Sequence, residues 1–228
     1  RLIAGCKNAT IPNSVKSIGY GAFRSCNGLT SITIPNSVTV IGDFAFFGCW
    51  DWTSIVVEEG NIRYDSRHNC NAIIETLSNK LIVGCKNTTI PNSVKSIEIN
   101  AFAYCSGLIS VAIPNSVTSI GSSAFEGCDG LTSITIPNSV IRIGDRVFLY
   151  CDNLKEIIIP DSVKEIDNAF RNHADGFVIK GNVNNEAVQK YFTDYAADAA
   201  GIKWEKTHHW DAGTVTAPAT CGKDGTMT

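Results

Sequence analysis

The sequence predicts a repeat solenoid, a stack of short parallel coils rather than a chain wound around one globular core. Three observations predict it. The decapeptide LTSITIPNSV occurs twice, at 29–38 and at 131–140. The pair Ile-Pro recurs at 11–12, 34–35, 90–91, 113–114, 136–137 and 159–160, so that every step but one is 23 residues and six of the seven prolines hold the same place in the unit. The one longer step, of 56, is a repeat plus 33 further residues. A fixed period of this size marks stacked units, none of which can enclose its own apolar face.

Each part of the unit has a physical reading. In Leu29–Ile34 the apolar Ile32 and Ile34 alternate with Ser31 and Thr33, which describes a short, half-buried strand. Pro35 has no N–H to extend a ladder and ends the strand. The chain then turns a second corner that buries Val38 and Ile41, and Gly42 permits a turn closed to other residues. Ala45 and Phe46 are expected to fill the far side of the core from a helical turn. Successive coils then pair strand on strand at ~4.8 Å, with like residues in rows.

The additional residues fall at about 58–87. Two alternating runs, Asn71–Thr76 and Lys80–Gly84, flank Leu77-Ser78-Asn79 and predict a β-hairpin. Its second arm recurs at the start of the chain, where RLIAGCKNATIPNSVKSI from Arg1 aligns with KLIVGCKNTTIPNSVKSI from Lys80, an offset of 79. Residue 1 falls in the middle of that larger unit, so the chain is expected to be a piece of a longer array. The last copy, from Leu154, is a residue short after Ile166 and has no cysteine. A strand at 177–181, a helix carrying Ala187, Tyr191, Tyr195 and Ala199 at helical spacing with Gly201 as its stop, and a final strand at 202–206 follow. The expected organisation is a solenoid over 1–176, a strand-helix-strand cap over 177–206 and a separate tail over 207–228.

The unit IPNSV-x-x-IG-x-x-AF-x-x-C-x-x-L resembles the BspA-type leucine-rich repeats of bacterial surface proteins, over about residues 1–176. The resemblance implies a right-handed α/β superhelix, a secreted or bacterial cell-surface location, and adhesion to host matrix proteins or to other cells. One departure from ordinary leucine-rich repeats is visible. Their asparagine ladder position carries Ser14, Ser37, Ser93, Ser116, Ser139 and Ser162, whose hydroxyls offer the neighbouring coil fewer bonds than an amide does. Residues 207–228 resemble the opening of a small cysteine-containing module found after such arrays, here truncated.

Composition excludes several function classes. A net charge of −3 argues against nucleic acid as a partner, since phosphate recognition needs a basic face. No run of 18 apolar residues exists to span a membrane. Cys26, Cys49, Cys105, Cys128 and Cys151 share one repeat position and read as small apolar filler in a row, not as metal ligands, which need convergent, short spacing. Cys70 and Cys85 lie on opposite arms of the hairpin, where they either bridge or stay free. His208, His209 and Cys221 read as tail. The acidic pairs Glu58/Glu59 and Asp194/Asp198 read as solvated surface. No nucleotide-binding or nucleophile motif occurs, and no cofactor or metal is expected.

Two surfaces remain. One is the outward face of the strands, a nearly uncharged hydroxyl face that includes Thr33, Ser133 and Thr135. The other is FAFFGCWDW, in which Phe46 and Trp52 hold core positions while Phe44, Phe47 and Trp50 sit three apart at variable ones. Either these three form an exposed contact patch, or the hairpin folds over them together with Tyr64. The expected function is a non-catalytic binding or adhesion module whose partner is a host or cell-surface protein or a glycan. The other readings are a spacer that holds another module off the cell, and an accessory domain of a larger enzyme.

Overall fold

A computed structural model describes residues 9–49, 51–171, 173 and 176–207. The first two coils contain β1 (Ser17–Ile18), β2 (Ser31–Ile34), β3 (Val40–Ile41) and β4 (Ser54–Val57). The insertion contributes β5 (Tyr64–Asp65), β6 (Ala72–Glu75) and β7 (Lys80–Gly84). The later coils hold β8 (Ser96–Ile97), β9 (Ser110–Ala112), β10 (Ser119–Ile120), β11 (Ser133–Thr135), β12 (Arg142–Ile143), β13 (Glu156–Ile159) and β14 (Glu165–Ile166). Then come β15 (Val178–Asn182), α1 (Glu186–Asp194) and β16 (Lys203–Thr207).

The coils stack in register, as the period requires. Ser31 faces Ser54 and Ile32 faces Ile55 in the β2–β4 pair, and Ser133 faces Ser110 in β11–β9, all parallel. Short strands pair on the other side, Ile97 with Ile120 and Ile120 with Ile143. Inside, the phenylalanines of successive units form a face-to-face stack. Phe102, Phe125, Phe148 and Phe170 have centroids 5.1, 5.9 and 5.6 Å apart, with rings within 10° of parallel. Offset stacking of this kind adds to the burial of each ring.

The Ala-Phe segment is not the expected helical turn. It is a pair of tight turns separated by left-handed residues, at Phe44 (φ 55°) and Gly48 (φ 74°) in one coil and at Ser123 (φ 55°) and Gly127 (φ 68°) in another. A left-handed residue ends helical propagation. Its benefit is a set of amides aimed at the adjacent coil, such as Phe102 N donating to Ala124 O at 2.8 Å and Phe125 N to Val147 O at 3.0 Å. The serine row is used unevenly. Ser37 donates to Val15 O at 2.7 Å and Ser139 to Val117 O at 2.6 Å, whereas the buried hydroxyls of Ser116 and Ser162 meet no partner among the described residues.

The hairpin forms as the alternation predicts, with Ala72 opposite Gly84 and Glu75 opposite Lys80. It does not fold over the coils. β7 pairs parallel with β8 and takes the place of a short strand, so that the sheet runs β14-β12-β10-β8-β7-β6-β5. β6 is thus a wall between two cores. Ala72 and Ile74 pack with the later coils, while Ile73 and Cys85 pack with the first two. Gly84 is required here, because a Cβ would stand 2.1 Å from Cε1 of Phe102. Arg67 fastens the insertion, binding Asp65 through Nε and Nη2 at 2.6 and 2.5 Å, Asn79 at 2.7 Å and Ser93 at 3.1 Å.

At the far end α1 is capped by Asn185, whose side chain accepts from the amides of Ala187 and Val188. The helix stops at Tyr195, earlier than the spacing out to Ala199 suggests, because Tyr195 leaves the helical region (φ −116°, ψ 32°). Tyr191 is buried edge-on against Phe170, with centroids 5.4 Å apart, and so covers the end of the phenylalanine stack. No helix among the described residues is long and apolar enough to cross a membrane.

Candidate binding surfaces

The strand face carries Ser31, Thr33, Ser133 and Thr135 exposed, as their alternation with buried Ile32, Ile34, Ile134 and Ile136 dictates. It is less uniform than the hydroxyl rows suggest. Val56, which pairs with Thr33, is 45% exposed, and Ile158 in the same row is 61% exposed. Thr53 and Thr132, at the strand entrance, spend their hydroxyls on carbonyls one coil back.

The second surface lies at the seam between the insertion and the first two coils. Phe44 is 37% exposed and touches both Tyr20 and Phe47, with centroids 5.6 and 5.5 Å away. Phe47 meets Tyr104 edge-on at 5.0 Å, and the Arg24 guanidinium lies 5.4 Å from the Phe47 ring centre. Burial and a hydrogen bond to Glu126 raise the Tyr104 phenol to about 12, so it stays neutral. Tyr64 does not join this cluster. It is buried below, where its hydroxyl accepts from Ile41 N at 3.2 Å. The covering hairpin is therefore not found, because its strands run in the sheet. Phe46 and Trp52 are buried at core positions. Trp50 lies outside the described residues.

Beside the cluster runs a groove of about 390 Å³. One wall is residues 39–47 and the other is residues 98–103, with Trp52, Tyr64 and the hairpin residues 82–84 between them. Asp43, Glu75, Glu98 and Arg63 line it, and Arg63 is paired with Glu75 at 2.7 Å. Neither Tyr104, Tyr20 nor Arg24 stands out in the sequence as a site residue. Glu98 carries a legible signal, because it replaces the glycine of the Ile-Gly pair.

The remaining candidates have structural surroundings. Cys49, Cys105, Cys128 and Cys151 are buried, and Cys26 is half-buried. Three thiols donate to a phenylalanine carbonyl one coil back, Cys49 to Phe23, Cys128 to Phe102 and Cys151 to Phe125, at 2.9, 3.1 and 3.1 Å. Burial pushes Cys49, Cys105 and Cys151 up to about 12, and Cys128 is also raised. Cys70 and Cys85 are free and belong to different cores. Glu58 accepts from Asn36 N at 3.0 Å, Asp194 pairs with Lys190, and Asp198 binds Asn168. Cys6, His208, His209 and Cys221 lie outside the described residues.

The stacked coils, phenylalanine ladder and parallel strand rows define a leucine-rich repeat solenoid. The sequence matches the BspA type leucine rich repeat region, in six copies over residues 4–77 and 75–192, and the chain belongs to that family. Among solved structures, a leucine rich cell surface protein from Faecalibacterium prausnitzii A2-165 is 33% identical, with a TM-score of 0.51, over 69% of this chain and 50% of its own. A leucine-rich repeat protein from Eubacterium ventriosum ATCC 27560 is 24% identical, with a TM-score of 0.67, over 79% and 49%. The pneumococcal vaccine antigen PcpA is 19% identical, with a TM-score of 0.58, over 85% and 60%. The last two share the fold, and the chain spans about half to three-fifths of the length of all three. No curated protein matches it.

Proposed function

We propose that the chain is a non-catalytic, extracellular binding module of a bacterial surface protein, which recognises a protein or a glycan through the seam of its solenoid. The observation that carries this reading is the contact cluster of Tyr20, Phe44, Phe47 and Tyr104 with Arg24 at its edge. Aromatic and arginine side chains dominate binding energies where they sit partly open beside a concavity. A relative described as a cell surface protein supports the location. The fold offers a long, stiff, repetitive surface, which suits recognition of macromolecules rather than turnover of small ones.

The test is a binding screen against immobilised host matrix proteins and a glycan panel, with Phe44→Ala/Phe47→Ala beside the parent chain. Saturable binding that drops about tenfold or more in the double variant supports the reading, since one central aromatic contact is worth roughly 2 kcal/mol. Binding that survives unchanged moves contact to the strand face. A folded sample that binds nothing favours the spacer.

A further inference from the structure

We propose that the seam is a breakaway joint, at which the first two coils part from the rest of the solenoid and open as one unit while the later coils stay folded. The joint itself does not depend on the binding reading above, although it governs the same aromatic cluster.

Regular coils are laced together through the main chain. Asn100, Phe102 and Tyr104 donate to the carbonyls of Ser122, Ala124 and Glu126 at 3.1, 2.8 and 2.5 Å, while Thr118 and Gly121 donate back to Lys95 and Ile97 at 2.9 and 2.8 Å. The insertion is laced to the later coils in the same way. Lys80 and Leu81 pair with Ser96 and Ile97, and Gly84 N donates to Ala101 O at 2.8 Å. On the insertion's other side the lacing stops. Among the described residues, no strand pair and no main-chain hydrogen bond joins residues 9–57 to residues 60–207. Gly21, Phe23 and Ser25 of the first coil donate to Asp43, Ala45 and Phe47, but the equivalent amides of Phe44, Phe46 and Gly48 in the second coil have no acceptor among the described residues.

Side chains hold the joint instead. Ile41 N donates to the Tyr64 hydroxyl at 3.2 Å, Val57 N to Ser66 Oγ at 2.9 Å, and Asn61 Nδ2 to Pro35 O and Val38 O, both at 2.9 Å. Asn87 Nδ2 donates to Thr53 O at 3.0 Å. The core divides at the same place. Phe23 stacks on Phe46 at 5.3 Å, but Phe46 then meets Trp52, and a second stack starts afresh at Phe102. Tyr64, Ile73 and Cys85 of the insertion are buried with the first two coils, and Ile82 and Val83 pack beside them. Two coils parted from their neighbours keep one interface between them, too little to enclose an apolar face, so they open together. Phe47 and Tyr104 stand on opposite sides of the joint, so their contact exists only while it is closed. On the binding reading, a partner that spans both rings clamps the joint, and opening releases the partner.

The test follows amide exchange by NMR and cysteine alkylation by mass spectrometry in the 228-residue chain, in urea below its main transition. The amides of Phe23, Thr39 and Gly42 are expected to share one opening, about tenfold or more as populated as the opening that exposes those of Phe125, Thr132 and Gly144. Cys85, fully buried and packed with the first core, is alkylated in step with Cys49, while Cys128 and Cys151 stay protected. Tyr64→Phe/Asn87→Ala removes two bonds across the joint and leaves the bonds between the first two coils in place. It speeds exchange in the first group about fivefold or more and leaves the second group unchanged. One opening common to both groups overturns the proposal. So does exchange graded from the outer coil inward, which is fraying, and so does a double variant that leaves the first group unchanged or speeds both groups alike. Cys85 protected for as long as Cys128 overturns it too. The binding screen above is independent of every one of these outcomes.

Discussion

Gly121 lies against the peptide that joins Glu98 to Ile99, so close that a Cβ would stand 2.7 Å from the Ile99 nitrogen and 2.8 Å from the Glu98 carbonyl carbon. Gly144 meets the backbone of Ser122 and Gly121 in the same way, and Gly42 that of Tyr20 and Gly19. The rule is set by coil spacing, not by turn conformation, since no φ above zero is involved at these three positions. Gly121→Ala must push two coils apart along their whole pairing and is expected to cost about 2–3 kcal/mol, the range for overpacking against rigid backbone. Glu98→Ala, at the equivalent place beside the groove, loses a 3.6 Å ion pair with Lys80 and a bond from Ser96, and is expected to cost less than about 1 kcal/mol. Urea midpoints of the two variants settle the comparison. Similar costs would mean that the groove behind Glu98 is not open.

That pair also shows how far the sequence could be read. The Ile-Pro marker gives the period, and the period alone puts Ile120 between Ile97 and Ile143. The hairpin is legible because both arms alternate around a short loop. Its direction is not, since nothing local tells a strand pair whether to lie on a sheet or within it. The contact of Phe47 with Tyr104 depends wholly on that direction, and so it escapes any reading by neighbours in sequence. The Ala-Phe turns fail for another reason. Arg146 and Tyr150 adopt left-handed backbone at φ 55° and 59°, which neither side chain advertises and only stacked coils impose. Glycine is replaced at this place by Glu98 after the insertion and by Asp167 in the last coil, the two points at which the repeat departs from its pattern.

Arg67 ties the insertion to the array, so its loss should be felt far from the loop that carries it. Burial alone would raise the Asp65 carboxyl, but hydrogen bonds from Arg67 outweigh it and hold the pKa below the ordinary 3.8. The stabilisation from this pair is therefore present above about pH 3.8 and lost as pH falls through the lower folded value. Arg67→Lys keeps a charge but not the planar fork that reaches Asp65, Asn79 and Ser93 together. Both Arg67→Lys and Arg67→Ala are expected to cost about 1–2 kcal/mol, with faster amide exchange in β6 and β7. Full stability in the lysine variant would show that charge alone suffices.

The cysteine row should be chemically silent. A thiol whose pKa is pushed up to about 12 holds almost no thiolate near neutral pH, and the thiolate is the reactive form. Iodoacetamide at about pH 8 followed by peptide mass spectrometry should leave Cys49, Cys105, Cys128 and Cys151 unmodified in the native chain and modify all four in denaturant. Native labelling of Cys128, which is fully buried, would show that the coils open locally. Cys128→Ala removes both filler and the donor to Phe102 O, and is expected to cost about 1–2 kcal/mol.

The cap should loosen in acid because of one histidine. His173 stacks on Phe177 at a centroid distance of 4.0 Å, with Phe170 beyond, and its Nε2 is buried with no partner among the described residues. Burial lowers its pKa from the ordinary 6.5 to about 4, more than the Asp152 charge and a backbone bond at Phe148 raise it, and Lys155 adds slightly to the lowering. Between those two values the unfolded chain binds the proton and the folded chain does not, so stability falls as pH drops from about 6.5 to about 4. Partial solvent access reduces the full linkage, and the expected loss is about 1–3 kcal/mol. His173→Phe keeps the ring stack and removes the proton site. Urea midpoints measured at about pH 7 and about pH 4.5 should therefore differ less in the variant than in the parent by that amount. An equal difference in both would place the acid sensitivity elsewhere, on carboxylates such as Asp65.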